Sequence, residues 1–456
     1  MMRDILGNAQ RRSLLFFIPV LFVCSSCAVM TTGSPRLQPE VNSLVVANRL
    51  QLAADMIERE EASYGPGNYL LYYLDRGLVE FYAGRYEESV RSLEKAKQRF
   101  QELYTESLSK EFLSWAVNDY MLPYRGADHE YVLVNIFQAL NFLSLKNPNE
   151  SLVEARDLNS KYQVVTDLAH KMKRRRYEDN GFARMFMGLL YQSMGRPEDK
   201  AEALLWYKEA LSLYASYYEG QYVPQILKEE AGRLAEEFSD DDLAALRQET
   251  RGSFASQGYE NKAKIIVLQL AGYSPLKVAD VVPIPVDRQF IIKLAFPKYM
   301  RRYYDIHSAR VIAYKAGGAR VSADTELGMN IEELAMKDLE SRKATVLAKA
   351  VLRPAMKYLI ERKQKEVIDK KSGAFAAEVF GLMSNLYNVF SEQADLRSWQ
   401  ALPAQIRVAR IFVDPGTCRI QFDNLDSQGM SLGIEDIGEV TLEAGETRFI
   451  VVRSTH

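Results

Sequence analysis

The spacing of apolar positions changes several times along this chain. Residues 13–23 (SLLFFIPVLFV) are one apolar run, and residues 28–42 contain Gly, Ser and two prolines without any period. From Ser43 to about Thr250 apolar residues recur at helical spacing. Past Gly258 they gather into short β-branched or aromatic runs. These are Lys264 to Leu270, Phe290 to Ala295, Ala309 to Tyr314 and Ala319 to Thr325, with Gly317-Gly318 as a hairpin turn between the last two. A helical stretch follows from Ile331 to Lys371, kinked at Pro354, and then an almost wholly apolar helix, Ala374 to Phe390. After Trp399 strands return, over Gln405 to Val413, Thr417 to Phe422, Glu439 to Glu443 and Thr447 to Val452. The pattern predicts a multidomain α + β chain. Its parts are a helical domain at 43–250, a mixed α/β module with a long helical hairpin at 258–400, and a small antiparallel β-sheet or sandwich at 401–456.

Within the helical region a unit recurs. Tyr73, Gly77, the turn Gly84-Arg85, Leu93 and Ala96 resemble a tetratricopeptide repeat (TPR), where a small residue lets two helices approach. A poorer copy runs through Leu140, Leu143, Asn147-Pro148-Asn149-Glu150 and Leu152 to Ala155. A third has Gly188, Tyr191, Gly195, Ala203, Tyr207 and Ala210. Glu80 and Ser89 depart from the pattern, and the copies are unevenly spaced. The reading is an irregular TPR-like α-helical repeat array, or a plain helical bundle whose Gly and Ala sit at close contacts. Of the 26 tyrosines, 18 fall between Tyr64 and Tyr222; tyrosine suits a binding groove and equally the packing between helices. With the first helix of each pair lining a concave face, Leu74, Phe81, Tyr82, Met185, Gln192 and Ser193 form the candidate binding groove.

The N-terminus changes the setting. Arg3, Arg11 and Arg12 stand against one acid, Asp4, ahead of the apolar run, and Ser25-Ser26-Cys27 closes it. That is the order of an export signal. The run is too short to cross a bilayer, which takes about 20 residues. A cysteine after two small residues resembles a lipobox, although Cys24 stands where leucine is usual. The resemblance implies that 1–26 is a lipoprotein signal peptide, that Cys27 is diacylated as the new first residue, and that 27–42 is a tether. Cleavage near Ala28 as an ordinary signal peptide is the alternative. Arg11-Arg12 before Ser-Leu-Leu also has a twin-arginine form, against which the strongly apolar run favours the general secretory route. Ala28 is not the aspartate that retains lipoproteins at the inner membrane, so a lipid-anchored place on the outer membrane, facing the periplasm, is favoured.

Without Arg3, Arg11, Arg12 and Asp4, 55 basic and 59 acidic residues remain, a net of −4. That is no nucleic-acid footprint. With Cys27 lipidated, Cys418 has no partner for an intrachain disulfide.

No catalytic constellation is visible. His129, His170, His307 and His456 are far apart, and no H-E-x-x-H, G-x-S-x-G or Walker motif occurs. Cys418 reads as a small apolar core residue. Asp128-His129-Glu130 reads as the start of a metal site or, more simply, as the polar entry to a helix; Ser239 to Asp242 reads as a helix cap. No cofactor and no metal is implied. Two basic features, Lys171 to Arg176 and the stretch from Lys337 to Lys371, read as solvated helix faces or as contacts to anionic lipid.

Four short runs occur in order: Gly272-x2-Pro275-x-Lys277, Pro283-Ile284-Pro285, Phe296-Pro297-x-Tyr299, and Glu392-x-Ala394-Asp395-x-Arg397-Ser398-Trp399-x2-Leu402-Pro403. With the lipobox and the repeats, the chain resembles an uncharacterised family of bacterial TPR-containing envelope lipoproteins. The resemblance covers most of the mature chain and offers no catalytic residues. It implies the setting of lipoproteins that activate peptidoglycan synthases. The expectation is a non-catalytic envelope scaffold for a protein or peptide partner. Its rivals are a cell-wall or glycan hydrolase with unseen carboxylates and a C-terminal glycan-binding module.

Overall fold

The computed structural model describes residues 37–116, 122–171, 181–217, 221–238, 244, 259, 261–285, 291–315, 320–342 and 394–455. The proposed signal, Cys27, the basic run 172–176, the cap at 239–242, Gly317-Gly318, Pro354 and the helix at 374–390 lie outside them.

The N-terminal half is helical. Helices α1 (Leu37–Val46) and α2 (Leu50–Arg59) precede three helical hairpins: α3 (Tyr69–Tyr82) with α4 (Tyr86–Ala116), α5 (Asp128–Ser144) with α6 (Pro148–Lys171), and α7 (Phe182–Met194) with α8 (Pro197–Tyr217). Helix α9 (Gln225–Phe238) packs on α8. The predicted close contacts are present. A Cβ on Gly77 would lie 2.6 Å from Leu93, and one on Gly188 2.3 Å from the Tyr207 ring, so only glycine lets these helices meet. Glu80 and Ser89, the two departures from the repeat pattern, are both buried and bonded. The Ser89 hydroxyl donates to Gly77 O at 2.6 Å, and Glu80 accepts from Ser92 at 2.6 Å and Arg76 at 2.7 Å. The next hairpin repeats the serine tie, with Ser151 donating to Ala139 O at 2.9 Å.

The C-terminal half forms two four-stranded sheets and a ribbon. Its strands are β1 (Ala263–Ala271), β2 (Leu276–Pro285), β3 (Ile291–Met300), β4 (Ser308–Lys315), β5 (Arg320–Asp324), β6 (Glu326–Asn330), β7 (Gln405–Val413), β8 (Gly416–Leu425), β9 (Ser431–Leu442) and β10 (Thr447–Ser454). The inner sheet has the order β10-β1-β7-β6, the outer sheet β5-β4-β8-β9, and β2-β3 pair only with each other. The predicted boundary at 400/401 therefore separates nothing. Strands from both sides of it share both sheets, and β1 pairs parallel with β10 and antiparallel with β7. A short apolar strand must find hydrogen-bonding neighbours, and here they come from far along the chain.

Alternation decides the layers. Ile265 and Val267 of β1 meet Val311 and Ala313 of β4 and Ile420 and Phe422 of β8 between the sheets. Ile266, Leu268 and Leu270 point the other way, into a core shared with α3, α5 and α7. Strand β1 is buried along its whole length, which explains its nearly continuous apolar run. The architecture is helices, inner sheet, outer sheet.

The groove expectation is corrected by the same packing. Leu74 and Met185 are fully buried and Phe81 nearly so, in one core with Ile266, Leu268, Ile406 and Val408. The inner sheet occupies the face that the repeat reading left open, because its own apolar side needed a cover.

Candidate functional site

Two of the family-like runs, 272–277 and 394–403, far apart in sequence, come together where helices meet sheet. Segment 394–404 threads this joint. Trp399 is 1% exposed; its ring meets Phe137 edge-on at 5.7 Å, and its backbone N–H donates to Glu130 Oε1 at 2.7 Å. Lys277 donates to Arg397 O at 3.0 Å, and Ser274 N–H to Leu402 O at 2.9 Å. Arg397 is buried, bonded to Asp395, to Asn68 Oδ1 at 2.8 Å and to Leu122 O at 3.1 Å. Residues 276–285, which include Pro283-Ile284-Pro285, form strand β2 of the ribbon. A strand with a free edge tolerates proline.

Buried acids surround the joint. Glu130, in the first turn of α5, accepts Ala127 N–H at 2.9 Å and the Tyr124 hydroxyl at 2.5 Å. His129 Nδ1 lies 2.8 Å from Asp338, both nearly inaccessible, and Arg342 grips the same carboxylate at 3.0 and 3.1 Å while reaching Asp128 at 3.1 Å. Against desolvation, Arg342 and His129 hold Asp338 well below the usual carboxylate range. Asp128-His129-Glu130 is thus a helix entry and a tie to helical residues 331–342. Among the described residues no group of three His, Cys, Asp or Glu side chains is arranged to hold a metal ion.

Asp75 is the outlier. Burial pushes its carboxyl up to about 7, Glu130 adding to the effect, against hydrogen bonds from Gln38 and Tyr64. The folded state therefore keeps a proton that the unfolded chain releases near pH 4. Stability from this group is complete below that pH and falls as pH rises towards 7. Asp75→Asn is expected to match the parent at pH 3–4 and to exceed it by about 3–4 kcal/mol at pH 8, since the carboxyl is raised to about 7 and each pKa unit is worth about 1.4 kcal/mol. Urea unfolding at both pH values reads this. A gap that does not widen with pH would mean that Asp75 ionises normally.

A second cluster joins α9 to the inner sheet. Glu230, fully buried, accepts Arg233 and Arg410 at 2.7 Å on one oxygen and Lys264 at 3.2 Å on the other. Despite burial, the three cations hold it well below the usual carboxylate range. Burial, with Arg233 and Arg410 adding, pushes Lys264 down to about 8 although Glu230 opposes it.

The partly exposed groove residues lie in the same seam. Tyr82 donates to Ala401 O at 3.0 Å, with Arg453 5.0 Å from its ring centre. Gln192 Oε1 accepts from Lys264 at 2.7 Å and Tyr207 at 2.9 Å, and Ser193 bonds within its own helix to Leu190 O at 2.6 Å. They serve an internal interface. Cys418 is buried between the sheets. Exposed His307 lines an open cavity of about 510 Å³ with Tyr303, Asp305, Gln405, Asp426 and Gln428.

Sequence reasoning missed Asp75, Glu230, Lys264 and Asp338. A faint signal existed for one of them: Lys264 opens the apolar run 264–270. No protein-family model matches the chain, and no curated protein matches it.

Proposed function

We propose that the protein is a lipid-anchored lipoprotein of the cell envelope, resembling the TPR-containing envelope family, and that it acts as a non-catalytic scaffold for another envelope protein in cell-wall or outer-membrane assembly. The three helical hairpins are read as irregular TPR-like repeats. The observation that supports this reading most is the use made of buried charge. Glu130, Asp338 and Glu230 each tie a helix of the array to a C-terminal segment, making one stiff body. Because the inner sheet fills the concave side, the partner meets an outer surface. No helix among the described residues is long and apolar enough to cross a membrane; in this reading Cys27 carries the attachment.

The test is made in cells, with a photo-crosslinking residue at Ile434, which is 60% exposed on edge strand β9. The protein is expected in the membrane fraction with acyl groups on Cys27, crosslinked to a second protein; Cys27→Ser should abolish both. An unmodified N-terminus elsewhere, or peptidoglycan turnover that one Asp or Glu substitution removes, would overturn the reading.

One observation favours the glycan-binding rival. Tyr303 is 87% exposed at the rim of the 510 Å³ cavity, beside Asp305, Gln405 and Gln428. An open aromatic face with carboxylate and amide neighbours suits a sugar ring. Retention on peptidoglycan sacculi that Tyr303→Ala eliminates would put this reading first.

A further inference from the structure

Arginines in this protein are mostly neutralised where they leave water. Arg233 and Arg410 meet Glu230, Arg342 meets Asp338, and Arg397 meets Asp395. Arg302, Arg407 and Arg453 break the pattern; Arg407 spends its donors on Thr325 and Gln405, whereas Arg302 and Arg453 lie together. Both are partly buried beside the joint, and among the described residues neither has a carboxylate within ion-pair distance.

The two cations share one tyrosine. The Arg302 guanidinium lies 4.9 Å and that of Arg453 5.2 Å from the Tyr273 ring centre, and Arg453 also lies 5.0 Å from that of Tyr82. Arg302 spends Nε on Ser274 O and one Nη on Gln400 O, both at 2.6 Å, which leaves its other Nη without a partner. Arg453 spends its Nη atoms on Leu270 O and Gly272 O at 2.6 Å and on Ser454 O at 3.1 Å, while its buried Nε has no partner. The Tyr273 hydroxyl is buried and has no hydrogen-bond partner among the described residues. Burial and the neighbouring Arg453 push Arg302 down to about 10.

Two like charges, an idle Nε and an idle hydroxyl in one place form an unfavourable arrangement when empty. Each unpaired buried donor is destabilising, and the repulsion between the guanidinium groups adds to it. A single compact anion relieves all of these at once, because its oxygens accept from the free Arg302 Nη, the Arg453 Nε and the Tyr273 hydroxyl together. We propose that Arg302, Arg453 and the Tyr273 hydroxyl form a binding site for a compact oxyanion, a carboxylate or a phosphate group, at the joint between the helices and the inner sheet. Small side-chain shifts admit it through the partly exposed guanidinium groups. Since Arg302 holds Ser274 and Gln400 while Arg453 holds strand β1 and the turn after it, the bound anion also stiffens the joint.

Thermal melting of the full chain tests this, with inorganic phosphate in one arm and acetate in the other, ionic strength being held constant with chloride. Ligand that binds only the native state raises the melting temperature in a saturable way. Tyr273→Phe removes only the idle hydroxyl, so it folds. It should weaken the apparent affinity about ten- to a hundredfold, the worth of one hydrogen bond to a charged group. Arg302→Lys keeps the charge but loses the fork and should weaken it at least as much. The arm that gives the larger shift names the oxyanion. No shift beyond chloride in either arm, or the same shift in parent and Tyr273→Phe, overturns the proposal and leaves the arginines as clamps on backbone carbonyls.

Discussion

Glu230→Gln is expected to destabilise the protein by about 3–5 kcal/mol, the usual effect of removing one partner from a buried ion cluster. The carboxylate is the common acceptor for Arg233, Lys264 and Arg410. Without it Arg410 keeps Glu229 and Lys264 keeps Gln192, while Arg233 is left with the faces of Tyr259 and Phe412. The pH response follows from the depressed folded pKa. The contribution of Glu230 is present above its unfolded pKa of about 4.3 and is lost as pH falls through the lower folded value. The variant should therefore differ most from the parent at neutral pH and approach it in acid. Lys264→Met made in the Glu230→Gln background should recover part of the loss, because one stranded charge is gone. Denaturant unfolding of the three proteins at pH 7 and pH 3.5 reads the effect; a loss under about 1 kcal/mol at pH 7 would show that the cluster is solvated rather than sealed.

Trp399→Ala should lower stability by a similar amount, about 3–5 kcal/mol, through lost burial and the cavity left behind. The indole is 1% exposed and packs edge-on to Phe137 of α5. Its Nε1 has no hydrogen-bond partner, so shape rather than polarity holds it. Trp399→Phe should therefore lose much less than Trp399→Ala. Equal losses in the two variants would point to the indole nitrogen, or to a site that collapses freely. The backbone bond from residue 399 to Glu130 survives either change, so the difference between the variants isolates packing.

Much of the local structure was legible in the residues. Helical spacing over 43–250 locates the three hairpins, and the small residues Gly77 and Gly188 mark where helices touch, because one Cβ there would overlap Leu93 or Tyr207. Alternating and unbroken apolar runs locate β1, β4, β7, β8 and β10. Strands β2, β6 and most of β9 escaped. Strand β2 contains Pro283 and Pro285, β6 is only five residues long, and β9 is exposed along most of its length, so none carries a clear strand signal.

What the sequence determined alone is therefore which segments coil, which extend, and which of their faces avoid water. Period and glycine placement are local properties, set by backbone sterics and side-chain volume. What covers each apolar face was decided only in three dimensions. Lys264 finds Thr447 in the parallel pair of β1 and β10, Arg410 finds Glu230 across 180 residues, and His129 finds Asp338 across 209. An apolar stripe on a helix is equally satisfied by a foreign peptide or by the chain's own sheet, so periodicity cannot tell groove from core. The inner sheet arrives as part of the same chain, with its own face of Ile266, Leu268 and Leu270 to bury, and it takes the place that a partner was expected to fill.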